Sequence, residues 1–193
     1  MTNITKKEKD YLPTGYTVPD KARQFMKLSI GDNNIRVLSK PLLGWVVFNN
    51  ENKPIRKPFE NVEGKNNFTK QELVEFKAKK EDGEIIPPKH FWVLLVWEEE
   101  TQSPKVLEIT QISIIKKLTS YIKDKDWGDL RDYPINITRE GSTKNDTEYD
   151  VIAKPHKNYD TNIKKALKSI ENNNLLELDA IYKGDYPFNT YNW

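Results

Sequence analysis

Aromatic and basic residues recur side by side along this 193-residue chain, in "RVLSKPLLGWVVF", "KPIRKPF", "KHFW", "KDWGDLRDY" and "YDVIAKPHKNY". Cations along a groove hold phosphates, and flat side chains give unpaired bases a stacking surface at roughly 1–3 kcal/mol per base. Together they hold a single nucleic-acid strand without making or breaking a bond. The candidate phosphate contacts are Arg36, Lys53, Arg56, Lys57, Lys89, Arg139 and Lys154. The candidate stacking residues are Trp45, Phe59, Phe91, Trp92 and Tyr149, in a chain with 5 Trp, 9 Tyr and 7 Phe. Aromatic side chains also fill β cores, so strand alternation decides which of them reach a groove.

Other chemistry finds little support. There are no cysteines, which excludes disulfides, thiolate zinc sites and cysteine nucleophiles together. His90 and His156 stand far apart, each beside Pro and Lys, and neither belongs to a metal-ligand spacing. Neither a Gly-rich phosphate loop nor a G-x-S-x-G elbow is present. Glu98, Glu99 and Glu100, and the set Asp124, Asp126, Asp129 and Asp132, are the carboxylates that a Mg²⁺-dependent nuclease would use. The first three sit at a hairpin turn and the second set alternates with Lys125 and Arg131, which reads as solvated, self-neutralised surface. The expectation is a binding protein with no enzyme activity, no metal and no cofactor.

The elements that must position these residues are mostly short strands. Residues 1–22 mix charge with two prolines and read as an extended arm. Strands are expected over Phe25–Ile30, Ile35–Leu38 and Leu42–Phe48, with Gly-Asp-Asn-Asn and Ser-Lys-Pro as the turns between them. Asn49 to Pro58 reads as a basic loop, since its prolines oppose a central strand. Thr69 is a candidate N-cap for a short helix through "KQELVEFKAKK", which "EDGEIIPP" stops. The stretch "KHFWVLLVWEEE" is apolar on both alternating sides, so its middle belongs in a core and only its beginning, Lys89 to Trp92, reaches a groove.

A hairpin then leads into "PKVLEIT", and Ile112, Ile115, Leu118 and Ile122 follow at helical spacing. "INITREGSTKNDTEYDVIAKP" alternates about a Gly-Ser-Thr-Lys-Asn centre, as a long hairpin does. A last helix and the aromatic end "YPFNTYNW" close the chain. The reading is mainly β with minor α: an OB-like five-stranded Greek-key barrel with extra strands, an interposed helix and a C-terminal helix. Residues 23–157 form its core, and residues 158–193 form the C-terminal helix and a mildly acidic aromatic tail.

These elements resemble the T-even phage type of single-stranded DNA-binding, helix-destabilising protein. "NNIRVLSKP" is similar to that family's early strand, "HFWVLLVW" to its aromatic-apolar strand, "KVLEITQISIIKKLTSYI" to its strand and helix, and "DYPINITREGSTKNDTEYDVIAKP" to its last core hairpin. The resemblance implies single-strand binding in phage DNA replication, recombination and repair, in the host cytoplasm. It also implies self-association on the strand through an N-terminal arm, here Lys6, Lys7, Lys9, Lys21 and Arg23, and replication or recombination partners recruited by the C-terminal tail. The family's Cys/His zinc module has no counterpart in the Cys-free interval between Asn52 and Pro88, so no zinc is expected.

The overall balance does not choose a partner. Charged residues are 31% of the chain and the net charge is only +2. That is equally compatible with a protein-protein adaptor or inhibitor on the same fold, and a metal-dependent nuclease is a further alternative. No run of apolar residues is long enough to span a membrane.

Overall fold

The computed structural model describes residues 24–60, 65–143 and 145–188. The lysines of the proposed N-terminal arm, Arg23 and the terminal residues from Asn189 onward lie outside the described residues.

The organising element is β6 (Lys89–Glu98), ten residues long and buried on both faces from Phe91 to Trp97. Along one edge it pairs antiparallel with β2 (Leu42–Phe48) at its start and with β1 (Gly31–Val37) at its end. Along the other it pairs with β7 (Ser103–Ile109). β1 continues to β8 (Pro134–Glu140), which forms the expected long hairpin with β9 (Glu148–Ala153). On the other flank β2 carries β3 (Pro54–Pro58). The seven strands are antiparallel throughout, and the fold is mainly β with few helices.

Five of them, in the order β7-β6-β1-β8-β9, curl around one apolar interior. Helix α2 (Ile112–Lys123) comes between the third and fourth of these in chain order and packs against β9. Its Ile114, Ile115 and Leu118 enter the interior, and its Tyr121 hydroxyl donates to the Val151 carbonyl at 3.1 Å. The helix thus lies across the seam between β7 and β9. Among the described residues no ladder joins those two strands, so this is a partly open barrel with β2 and β3 as a lateral extension.

Alternation along β6 builds two cores. Trp92, Leu94 and Val96 face the barrel interior with Ile35, Val37, Leu107, Ile109, Ile135, Ile137 and Val151. Phe91, Val93, Leu95 and Trp97 face outward, where α3 (Thr161–Asn172) and the 3-10 segment Leu178–Lys183 cover them with Ile163, Ile170 and Ile181, joined by Phe188. Residues beyond 157 therefore complete the second core.

Two local expectations need correcting. Phe25–Ile30 is not a strand: Phe25 makes a single parallel bridge to Val106, and the sheet begins at Gly31, inside the expected Gly-Asp-Asn-Asn turn. The buried Asn33 amide explains this, because it accepts from the Ser29 N–H and donates to the Ser29 and Ile137 carbonyls, folding the chain back just before β1. Nor is all of Asn49–Pro58 a loop. Its second half is β3, and the prolines are tolerated because β3 is an edge strand.

Helix α1 (Lys70–Glu75) carries the expected Thr69 cap as a full capping box with Glu72, but it ends well before Lys80. Lys77 is left-handed there, at φ 51°. Beyond it the two-residue strands β4 (Lys80–Glu81) and β5 (Glu84–Ile85) pair with each other.

Candidate nucleic-acid interface

The start of β6 and the neighbouring strands bring four of the sequence-predicted residues together. Trp45 on β2 lies opposite His90 on one side and Lys57 on the other. Residues in register share a face of the sheet, so Trp45, Lys57 and His90 project the same way. The Trp45 and His90 rings are 5.1 Å apart and tilted by 58°, and Phe59 meets His90 edge-on at 5.5 Å. Trp92 donates its indole N–H to His90 Nε2 at 3.2 Å. Trp45, Phe59 and His90 are half-buried, whereas Trp92 is 7% exposed.

This is a cluster of mutually inclined rings, continuous through Trp92 with the core beneath it. The Trp45 indole N–H has no acceptor. Burial lowers the pKa of His90 from its ordinary value, which favours the neutral imidazole among these rings.

The predicted cations divide by their partners. Lys57 is held by Glu72 and lies over the Phe68 ring. Arg56 is bound by Glu108, and Lys53 by Glu51. Lys89 is exposed and makes no ion pair with a described residue; it lines a small cavity of about 180 Å³ with Lys79 and Pro87. Lys154 is exposed on the far side of the sheet, with its ammonium on the Asn34 side chain at 2.6 Å. Arg139 and Tyr149 are register partners on the β8-β9 hairpin, separated from β2 by β6 and β1. Arg139 donates to the Leu28 carbonyl at 2.9 Å, and Tyr149 packs on the barrel interior.

Three of the predicted residues present no surface to a strand lying on the Trp45 cluster. Phe91 is fully buried, its ring against Tyr182, because its side of β6 is roofed by the C-terminal segment. Trp92 turns into the barrel and supports His90 from below. Arg36 is 3% exposed and spends its guanidinium on backbone carbonyls. The β6 outer face, apolar enough in sequence to suggest a stacking surface at its mouth, is closed along Phe91, Val93, Leu95 and Trp97.

Arg36 nonetheless lines a second feature that the candidate set missed, a polar cleft shared with Arg131, His156, Lys157 and Tyr159. Its residues were visible in "KDWGDLRDY" and "YDVIAKPHKNY", but no periodicity joins two segments that meet only through the fold. His156 stacks on Trp127 at 5.8 Å and 22° beside it.

Four of the seven carboxylates are engaged in local turns: Glu98 and Glu99 accept from Thr101 and Gln102, Asp124 from the Asp126 N–H, and Asp129 from Arg131. Among the described residues no group of three His, Asp or Glu is placed to hold a metal ion, and no helix is long and apolar enough to cross a membrane. Comparison with protein-family models, curated proteins and solved structures finds no match for the chain.

Proposed function

We propose that this protein binds single-stranded DNA without strict sequence preference, as a non-enzymatic accessory of phage DNA replication, recombination and repair. The observation that carries the reading is the half-buried cluster of Trp45, His90 and Phe59, with Lys57 on the same face of the sheet. A ring held rigidly by its neighbours and open on one face loses little freedom when a base lies on it, and any base has such a face. The partly open barrel of antiparallel strands with an interposed helix agrees with the same reading. The phage setting and the recruitment of replication partners rest on the family resemblance.

The test is a fluorescence titration of the full chain with oligo-dT. Stacking on Trp45 quenches part of the tryptophan emission, and Trp45→Ala lowers affinity by the worth of about one stacked base, roughly 1–3 kcal/mol. Unchanged emission together with no gel shift at low salt would overturn the proposal.

A further inference from the structure

A polar cleft of about 440 Å³ opens between β1, the 3-10 turn Leu130–Asp132 and the segment after β9, walled by Arg36, Arg131, Asp132, His156, Lys157 and Tyr159. Arg36 sets its character. The guanidinium donates to the Lys157 carbonyl at 2.6 Å and to the Arg131 carbonyl at 2.9 Å, and it lies 4.8 Å from the centre of the Tyr159 ring. Its Nε–H has no acceptor. Among the described residues no carboxylate lies within ion-pair distance of it; Asp132, Asp160 and Glu99 act on it only through space, and Asp129 is taken by Arg131.

Carbonyl groups orient a guanidinium but do not neutralise it, and a buried charge without a counter-ion is expensive. The walls leave an excess of positive charge: Arg131 is paired with Asp129, and of the other lining residues Arg36 and Lys157 are cationic against one carboxylate, Asp132. Lys154 stands close by, its N–H bonded to the Pro134 carbonyl on the strand next to Arg36. A fixed, planar cation beside a flexible one, here Lys157, is the arrangement that receives a tetrahedral oxyanion, the planar fork giving direction and the ammonium giving charge.

We propose that this cleft is a phosphate-binding site, with Arg36 as the buried anchor, Lys157 as the group that closes on the anion, and Arg131, held by Asp129, and His156, held on Trp127, at its rim. The site is separate from the Trp45 patch and stands whether or not bases stack there. The phosphate is carried either by a nucleic-acid strand or as a free anion, and the chemistry of recognition is the same.

Thermal melts of the full chain in inorganic phosphate, against chloride at matched ionic strength, test it. Phosphate raises the melting temperature in a saturable way, as any ligand of the folded state does. The double variant Arg131→Gln/Lys157→Gln, which leaves both carbonyl contacts to Arg36 in place, weakens phosphate binding by about tenfold or more, while Trp45→Ala leaves it unchanged. Competition then separates the sources: a 5′-phosphorylated oligo-dT that displaces phosphate when its unphosphorylated form does not shows a strand end in the cleft, and displacement by both shows backbone phosphates. Displacement by neither identifies the free anion. A melting temperature that follows ionic strength alone, or a phosphate effect equal in the double variant, overturns the site without touching the stacking proposal.

Discussion

Arg56 on β3 and Glu108 on β7 meet as a two-armed ion pair, Nη2 to Oε2 at 2.7 Å and Nε to Oε1 at 3.3 Å. β2 and β6 lie between those strands in the sheet. Arg56 is in register with Val46 and Glu108 with Val93, so the pair spans the outer face and requires the sheet to bend toward it. Their side chains keep only 10% and 18% of their exposure. A cation selected from the sequence as a phosphate contact is, in the folded chain, a clasp between the lateral strand and the barrel.

Arg56→Ala should therefore lower stability, by about 1.5–3 kcal/mol for a charged hydrogen bond whose partner is left partly buried. Urea denaturation measures this directly. The affinity of the folded protein for oligo-dT should stay within about twofold of wild type. A large loss of affinity with unchanged stability would return Arg56 to the groove.

Lys89 is the opposite case, exposed and without an ion pair among the described residues. If it meets one phosphate, Lys89→Gln should reduce the slope of log affinity against log salt by about 0.7, the single-strand value per contact. Stability should hardly move, since surface charges contribute little. An unchanged salt slope removes Lys89 from the interface.

Acid should loosen the α1 corner. Hydrogen bonds from the Lys57 ammonium first, then from the Thr69 backbone and hydroxyl, lower the Glu72 pKa from its ordinary 4.5 to about 2. A carboxylate depressed in the folded state gives stability that is complete above 4.5 and is lost as pH falls toward 2. Glu72→Gln should thus be less stable than wild type near neutrality, and the gap between their urea midpoints should close across that window. A gap independent of pH would show that packing, not charge, fixes the corner.

The sequence made the long, locally coded elements legible. β6 announces itself by apolar residues on both alternating sides, α2 by the spacing of Ile112, Ile115 and Leu118, and the β8-β9 hairpin by its polar centre. What escaped depends on pairs distant in the chain. Nothing near Arg36 says that its guanidinium will be met by carbonyls 95 and 121 residues away. Nothing near Phe91 says that Tyr182 will roof it. Alternation gives two faces, and only tertiary packing decides which is covered.

Gly44 joins the platform to that covered face. It has a buried position on β2 between Trp45 and Leu43, in register with Phe91 and Pro58. A Cβ there would come within 2.6 Å of the Phe91 ring and would also meet the Lys57 carbonyl. Phe91 cannot retreat, being fully buried against Tyr182, whose hydroxyl donates to the Leu43 carbonyl at 2.6 Å. Gly44→Ala should cost about 1–3 kcal/mol by overpacking and should weaken oligo-dT binding as the displaced β2 carries Trp45 with it. Phe91→Leu alone should also destabilise. In the double variant the smaller side chain makes room for the new methyl group, so the two losses should sum to more than the measured one. Strict additivity would show instead that the Lys57 carbonyl, and with it the β2-β3 ladder, is what demands glycine.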